Sequence, residues 1–320
     1  MTVSQPVQIL CRDGVRLGGD FWPSQHESAI GRVVINPATG VLARYYHRYA
    51  RFLTAHGFDV LTYDYRGIGA SRPERLRGCG FTWRDWGEQD FDAALRFLAD
   101  KSRADAPLIV VGHSIGGSLP GLAPGARRID RMLTVGAQYA YWRDYAPTHR
   151  AGLVWKWHVV MPALTALYGY FPGRRLGWLE DLPAGVANEW SFRRKRMEMT
   201  HPEAERASVL ARFNAVTAGI LAVSLTDDEL GTPQAVRRSL DYYGSAQKHE
   251  VLLTPTDYGL EKIGHFDLFH DRHQAGFWRD TLVWLRDGVN PWPDKLIASA
   301  AGPHQRHATG KKRDAPCPSA

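Results

Sequence analysis

The chain has 320 residues, of which 44% are hydrophobic and 23% charged, and its formal net charge is +7. This composition excludes disordered, collagen-like and disulfide-stapled chains, and three widely spaced cysteines favour a reducing, cytoplasmic compartment. No apolar run reaches the roughly 18 residues of a membrane-spanning helix, and residues 1–10 carry no secretory signal.

The positive charge does not indicate a nucleic-acid partner. Five basic and two acidic residues from Asp294 onward leave +3 in the C-terminal segment, and the remaining +4 is spread over the body of the chain. The one dense basic run, Arg193–Arg196, is interpreted as a solvated helix face rather than a phosphate-binding patch. We therefore expect no nucleic-acid binding.

Strand-like and helical patterns alternate along the chain. The predicted strands are Val7–Cys11, Val15–Trp22, Arg32–Asn36, Asp59–Tyr65, Pro107–Gly112, Met132–Gln138, Gly219–Leu225 and Glu250–Thr254. The predicted helices are Leu42–His56, Trp86–Asp100 and His273–Asp287. Continuous apolar strands separated by helices predict an α/β fold with a mainly parallel, eight-stranded sheet and helices on both faces.

One long segment, residues 139–212, interrupts this alternation. It has no strand-like run, but it holds 12 of the 36 aromatic residues, so it is predicted to be a helical insertion rather than a linker. The core is then formed by residues 1–138 and 213–293. The segment 294–320 has no periodicity and is rich in small and polar residues, which predicts a disordered tail.

A nucleophile motif follows the fifth predicted strand. Gly112–Gly116 reads G-H-S-I-G, which matches G-x-S-x-G between an apolar strand and a helix-capable stretch, Gly117–Leu122. In such an elbow the glycines leave room for a strained turn that points the serine out of the sheet. The start of the following helix also stabilises developing negative charge. We therefore predict that Ser114 is the nucleophile.

A serine hydroxyl needs a base to remove its proton, and a late loop supplies the candidate. His265 lies between the last predicted strand and the last helix, where it can reach Ser114 across the carboxyl edge of the sheet. His270 and His273 lie nearby, but His273 falls within the final helix. His113 is not expected to be the base, because side chains adjacent at a sharp turn point apart.

The imidazole needs an acid to hold its tautomer, and two adjacent aspartates follow the strand that ends at Leu225. Asp228 is favoured as the acid, and Asp227 is expected to cap the helix that begins near Pro233. The alternative, Asp227 as the acid, stays open. The order Ser114, Asp228, His265 is that of α/β-hydrolases rather than of chymotrypsin-like or subtilisin-like enzymes.

These motifs make the chain resemble an α/β-hydrolase of the serine-nucleophile type. The resemblance extends over about residues 5–290, in particular to bacterial hydrolases near the serine aminopeptidase and monoacylglycerol-lipase-like branch. It is carried by Tyr63–Ser71, the elbow at Ser114, Thr226–Asp228, Gly264–Phe266, and the insertion segments Phe171–Gly177 and Glu180–Pro183. It implies that Asp64 and Arg66 are structural and that residues 139–212 form a cap over the substrate pocket.

The loop after the third strand departs from the His-Gly-x pattern common in these enzymes. It reads Asn36-Pro37-Ala38-Thr39-Gly40, and a proline has no N–H to donate to an oxyanion. By this resemblance Ala38 N–H is the expected oxyanion donor, with Thr39 as the second choice. Ile115 N–H, directly after the nucleophile, is the other expected donor.

A wider set of residues is predicted to surround the substrate. Those assigned to the pocket are Thr39, His113, Gln138, Tyr139, Trp142 and Trp157, and further aromatic candidates are Tyr141, Trp155, Tyr168, Tyr170 and Trp178. Any one of these aromatic residues could instead belong to the core of the insertion. Together they indicate an apolar or aromatic acyl group.

The sequence thus predicts a serine hydrolase, with a carboxylic-ester substrate first in order. Amide cleavage, acyl transfer and a catalytically inactive ligand-binding protein are the alternatives, because the fold does not determine the function. No cofactor is expected. The cluster Asp267, His270, Asp271 and His273 lacks the spacing of a metal site.

Overall fold

A nine-stranded sheet runs through the centre of the computed structural model, which describes residues 3–101 and 105–300. The strand order is β1-β2-β4-β3-β5-β6-β9-β10-β11. The strands of this sheet are β1 (Gln5–Leu10), β2 (Arg16–Trp22), β3 (Gly31–Asn36), β4 (Phe58–Tyr63), β5 (Leu108–His113), β6 (Arg131–Val135), β9 (Gly219–Leu225), β10 (Lys248–Leu253) and β11 (Leu296–Ala300). Two further short strands, β7 (Tyr170–Phe171) and β8 (Leu182–Pro183), pair with each other in residues 139–212.

The six central strands, from β4 to β10 in the sheet order, are parallel, and β1, β2 and β11 pair antiparallel at the two edges. The prediction of a mainly parallel sheet is confirmed, but the predicted count of eight strands is wrong by one. The ninth strand, Leu296–Ala300, lies in the segment expected to be a disordered tail. It is a mostly exposed edge strand that pairs only with β10, and its sequence L-I-A-S-A does not alternate between apolar and polar residues as a half-buried strand does. The rest of that segment, residues 301–320, lies outside the described residues.

Helices cover both faces of the sheet. The α-helices are α1 (His47–Ala55), α2 (Trp83–Asp85), α3 (Asp92–Lys101), α4 (Ile115–Ser118), α5 (Arg150–Val154), α6 (Met161–Tyr168), α7 (Gly173–Leu176), α8 (Ala184–Ser191), α9 (Glu203–Asn214), α10 (Pro233–Leu240) and α11 (Phe277–Asp287). Side chains of α1 and α11 share one apolar core with Ile109 and Val111 of β5, whereas α3 and α10 share the other core with Val110. This alternation along β5 is that of a strand buried on both faces.

The insertion between β6 and β9 is mostly helical, and it also contains the short strands β7 and β8. π-Helical turns (Trp155–Val160) join α5 to α6 into one helical segment. Its aromatic residues pack on one another: the Trp157 ring is stacked on Trp190 at 4.6 Å between centroids and stands edge-on to Trp178 at 5.7 Å. The insertion therefore has an apolar core of its own.

The basic run Arg193–Arg196 is not the solvated helix face that the charge pattern predicts. It follows the end of α8, and Arg193 is buried with its guanidinium 4.9 Å from the centroid of the Trp83 ring. A nitrogen of the same guanidinium lies 3.8 Å from a carboxylate oxygen of Glu189. One arginine of a dense basic run can thus be buried when an acidic side chain and an aromatic ring contact its guanidinium.

No helix among residues 3–101 and 105–300 is long and apolar enough to cross a membrane. Cys11 is buried, Cys79 is half-buried, and both are free thiols. Cys317 lies outside the described residues.

Candidate active site

Ser114 lies in a strained turn at the end of β5, where the G-x-S-x-G pattern predicts it. Its φ of 55° and ψ of −126° are rare for a residue with a side chain. The flanking glycines have the expected steric reason: a Cβ on Gly112 would lie 2.5 Å from Gly117 Cα, and one on Gly116 would lie 2.3 Å from the Asn36 carbonyl oxygen. The turn therefore requires glycine at both positions, because any larger side chain would clash with the backbone.

Asp228 and His265 form a buried pair at the neighbouring strand ends. His265 Nδ1 lies 2.7 Å from Asp228 Oδ2. Asp228 Oδ1 accepts backbone hydrogen bonds from Leu230 at 2.8 Å and from Gly231 at 2.7 Å. Burial alone would raise the pKa of Asp228, but the imidazole and these hydrogen bonds outweigh it and hold the pKa below its usual value. The carboxylate is therefore ionised at neutral pH.

The adjacent aspartate has a different task. Asp227 Oδ2 accepts the backbone N–H groups of Ile263 at 2.8 Å and Gly264 at 2.9 Å. The expectation that Asp227 caps the helix beginning at Pro233 is wrong, because Thr232 accepts the hydrogen bond from Ala235 there. Asp227 instead anchors the loop that carries His265.

The acid and the imidazole pack closely against the backbone of β6. Gly136 follows β6 with a φ of +55°, and a Cβ at this position would lie 2.8 Å from Asp228 Oδ2 and 3.1 Å from His265 Cε1. A Cβ on Gly231 would lie 2.6 Å from the same carboxylate oxygen. Two glycines thus make room for the pair.

The sheet order explains why three distant segments meet. Ser114 follows β5, Asp228 follows β9 and His265 follows β10, and β5, β6, β9 and β10 are consecutive in the sheet. Their carboxyl ends lie along one edge, where sites of open parallel sheets form. Ser114 is 5% exposed, and Gln138 Nε2 lies 3.4 Å from its Oγ.

The predicted oxyanion loop differs from expectation at one donor. Ala38 N–H donates to the Tyr46 hydroxyl at 3.0 Å, so this expected donor already has a partner. Thr39 N–H, the second choice, is the next donor along the loop. Ile115 is the first residue of α4, and the first N–H groups of a helix have no partner within it.

Asn36 takes the place of the usual histidine at the start of this loop. Its Nδ2 donates to the Gly116 carbonyl at 3.1 Å, and its Oδ1 accepts from the Tyr63 hydroxyl at 2.8 Å. These two hydrogen bonds connect the loop to the turn that carries Ser114.

His113, assigned to the pocket, is instead completely buried. Its Nδ1 lies 2.8 Å from the Tyr46 hydroxyl, and its Nε2 lies 2.8 Å from the His265 carbonyl oxygen. Burial, and then the nearby His265, lower the pKa of His113 to about 3. The imidazole is therefore neutral and both of its nitrogens are occupied.

The other residues predicted to line the pocket lie in different parts of the structure. Gln138 lies beside Ser114, and Thr39 is buried in the loop after β3. Trp157 belongs to the core of the insertion, and Tyr139 is buried with its hydroxyl donating to the Lys195 carbonyl at 2.6 Å. Trp142 is 37% exposed.

A cleft of about 590 Å³ opens between the loop after β3, the insertion and Phe266. Its lining residues include the apolar Val41, Leu42, Trp178, Leu179 and Phe266 and the charged Arg44, Arg174 and Glu180. Phe266 directly follows His265, so the cleft borders the loop that carries His265.

The cluster near the end of the chain does not form a metal site within the described residues. His273 Nε2 lies 2.5 Å from Asp267 Oδ2, and His270 Nδ1 lies 2.7 Å from Asp271 Oδ1. Asp64 and Arg66 have structural partners, as expected. Asp64 accepts backbone N–H groups of two loops, and Arg66 Nε lies 2.6 Å from Asp90.

Sequence reasoning missed three contributors to this site. Gly136 had no distinguishing signal, and the anchoring role of Asp227 depends on a loop conformation. Tyr46 was not separable from its neighbour Tyr45, since only the fold decides which of two adjacent tyrosines faces His113.

A comparison with protein families matches residues 27–254 to the family described as serine aminopeptidase, S33. The curated monoglyceride lipase of Saccharomyces cerevisiae is 28% identical over 109 residues, which are 33% of this chain and 34% of the lipase. The match thus spans about a third of that relative's length.

Solved structures of α/β-hydrolases share the fold over most of the chain. A soluble variant of the Saccharomyces cerevisiae monoglyceride lipase, in complex with a substrate analogue, is 17% identical with a TM-score of 0.62, covering 89% of this chain and 96% of that one. DcsB in complex with its substrate analogue is 13% identical with a TM-score of 0.62, covering 90% and 100%. An esterase of Pyrococcus furiosus is 15% identical with a TM-score of 0.58, covering 90% and 92%.

Proposed function

The chain belongs to the serine aminopeptidase S33 family of α/β-hydrolases, and from this premise we propose that it hydrolyses carboxylic esters through a covalent acyl-enzyme. The observation that carries the proposal is the buried Asp228–His265 pair at 2.7 Å, on the same sheet edge as a serine in a strained elbow. The esterases and the monoglyceride lipase among its relatives support an ester substrate.

In the acylation step His265 removes the proton of Ser114, and Oγ attacks the carbonyl carbon of the ester. Asp228 accepts the Nδ1–H of His265, so that Nε2 is the basic nitrogen of the neutral ring. The ionised Asp228 then stabilises the imidazolium, which donates its proton to the leaving alcohol. Water activated by His265 attacks the acyl-enzyme, and the acid is released with Ser114 restored.

The tetrahedral intermediates place negative charge on the former carbonyl oxygen. We assign Ile115 N–H as one donor to this oxygen and Thr39 N–H as the other, because Ala38 N–H donates to Tyr46. One such donor is typically worth about 3 kcal/mol of transition-state stabilisation.

The insertion, residues 139–212, is proposed to act as the cap of the active site, over a core of residues 1–138 and 213–293. Trp178 and Leu179 of the insertion line the cleft together with Phe266 and Val41. This largely apolar lining supports an apolar or aromatic acyl substrate. The free thiols of Cys11 and Cys79 support a reducing, cytoplasmic location.

A panel of p-nitrophenyl esters of increasing acyl length, with aminoacyl p-nitroanilides as amide counterparts, tests the proposal. We expect ester turnover to exceed amide turnover, to rise with acyl length and to disappear in Ser114→Ala. Ser118→Ala is the matched control, because Ser118 is an equally buried serine of α4 whose Oγ contacts Ser239 at 2.6 Å. Turnover of anilides but not of esters would contradict the ester assignment, and turnover in Ser114→Ala would contradict the nucleophile.

A further inference from the structure

A chain of hydrogen bonds connects the loop after β3 to the loop of His265. Ala38 N–H donates to the Tyr46 hydroxyl at 3.0 Å, and this hydroxyl lies 2.8 Å from His113 Nδ1. His113 Nε2 lies 2.8 Å from the His265 carbonyl oxygen. Ala38, Tyr46 and His113 are 1% exposed or less, so water does not compete for these bonds.

The direction of every proton in this chain follows from its ends. A carbonyl oxygen only accepts, so His113 Nε2 must carry the hydrogen that points at His265. The ring is neutral, so His113 Nδ1 is an acceptor and the Tyr46 hydroxyl donates to it. The Tyr46 oxygen in turn accepts from Ala38 N–H. Each buried polar atom of the three groups is thereby satisfied in a single arrangement.

The neighbouring tyrosine strengthens the same connection. The Tyr45 hydroxyl donates to the carbonyl oxygen of Phe266, the residue after His265. Two consecutive carbonyls of the catalytic loop are therefore held from the segment that follows the oxyanion-binding loop, one directly and one through His113.

We propose that Tyr46 is a positioning residue that holds the Ala38 amide and, through His113, the His265 loop in fixed register about Ser114. This inference rests on the proposed function. The bond to Tyr46 turns Ala38 N–H away from the oxyanion, which leaves the next peptide N–H, that of Thr39, to face it. Removing the hydroxyl frees the Ala38 peptide to rotate and removes one hydrogen bond of His113. The loop after β3 and the loop that carries His265 are then no longer held in fixed positions relative to Ser114.

The experiment compares Tyr46→Phe with Tyr49→Phe. Tyr49 is the matched control: it is also fully buried, and its hydroxyl contacts Thr281 at 2.7 Å, which is not a member of this chain of bonds. The readouts are the rate of labelling by a fluorophosphonate, kcat and KM on p-nitrophenyl esters, and the ratio of kcat for an ester and its thionoester. Sulfur accepts hydrogen bonds poorly, so this ratio reports directly on the oxyanion donors.

We expect Tyr46→Phe to lower kcat and the labelling rate by about 10- to 100-fold, somewhat less than the loss of a whole oxyanion donor, with KM unchanged. In Tyr46→Phe the ratio of kcat for the ester to kcat for the thionoester should also fall. Tyr49→Phe should stay within about twofold of the wild type on every readout, because the hydroxyl that it loses contacts neither loop. A residue that merely packs would change stability in both variants and leave these ratios unchanged.

A folded Tyr46→Phe with the rates and the ratio of Tyr49→Phe overturns the positioning role and leaves the proposed hydrolase function intact. A folded wild type that is not labelled overturns the proposed function itself. If Tyr46→Phe does not fold, His113→Asn replaces it, because an asparagine is too short to reach the His265 carbonyl oxygen. A soluble His113→Asn with wild-type kcat also overturns the role.

Discussion

The neutral, buried imidazole of His113 makes the stability of the fold depend on pH in a defined way. Its pKa is about 3 in the folded chain, against 6.5 for a solvated histidine. As the pH falls below 6.5, His113 becomes protonated in the unfolded state but stays neutral in the folded state. The free energy of unfolding therefore decreases until the pH approaches 3. At pH 5 the pH lies about 1.5 units below the pKa of the unfolded state, and each unit is worth about 1.4 kcal/mol. The free energy of unfolding is therefore about 2 kcal/mol lower at pH 5 than at pH 7.

The test compares the wild type with His113→Gln in urea at pH 7 and pH 5, followed by tryptophan fluorescence. The glutamine amide keeps a donor for the His265 carbonyl oxygen but does not titrate. The remaining acidic and histidine side chains are common to both proteins and cancel in the difference. Between pH 7 and pH 5 we expect the free energy of unfolding to fall by about 2 kcal/mol more in the wild type than in the variant. If this free energy falls by about 3 kcal/mol per molar urea, the urea midpoint of the wild type shifts by about 0.7 M more than that of the variant. Equal losses in the two proteins would refute a neutral, buried His113.

Three further predictions concern the acid and its surroundings. Asp228→Asn should lower kcat for ester hydrolysis by about 10⁴-fold at unchanged fold, because His265 Nδ1–H loses its carboxylate; a loss below tenfold would refute its role. Asp227→Ala should lower kcat by only about tenfold and speed hydrogen exchange at Ile263 and Gly264, whose amides lose their acceptor; unchanged exchange would refute the anchoring. Gly136→Ala should lower both kcat and the melting temperature, because its Cβ would lie 2.8 Å from the Asp228 carboxylate, whereas Gly152→Ala in α5 meets nothing within 4 Å and should leave both intact.

The outline of the site was predictable because its main residues sit in short motifs at strand ends. The strand Leu108–His113 and the glycines on either side of Ser114 together define an elbow, and a late histidine in the right chain order indicates the candidate base. Such features are local in sequence, and the parallel sheet brings their positions to one edge. The insertion between β6 and β9 was indicated by the sequence pattern, and the family resemblance added only its expected role as a cap.

The details that failed depend on contacts between distant segments. Asp227 was expected to cap the helix that begins near Pro233, but its carboxylate accepts the N–H groups of Ile263 and Gly264, which lie more than 30 residues further along the chain. Ala38 was expected to be an oxyanion donor from its position in the loop after β3, but its N–H donates to the hydroxyl of Tyr46, a contact that the sequence does not indicate.

Charge and polarity were equally misleading where tertiary partners override them. Arg193 belongs to a basic run and is nevertheless buried against Trp83 and Glu189. The strand Leu296–Ala300 lacks the alternating pattern of a half-buried strand, and it pairs with β10 at the edge of the sheet.

The central claim is that Ser114 is an activated nucleophile. The most direct test is the intact mass of the protein after exposure to a fluorophosphonate, measured for the wild type, Ser114→Ala and the control Ser118→Ala. A single adduct on the wild type and on Ser118→Ala, and none on Ser114→Ala, is the predicted result. An adduct on Ser114→Ala, or none on the folded wild type, would contradict the account.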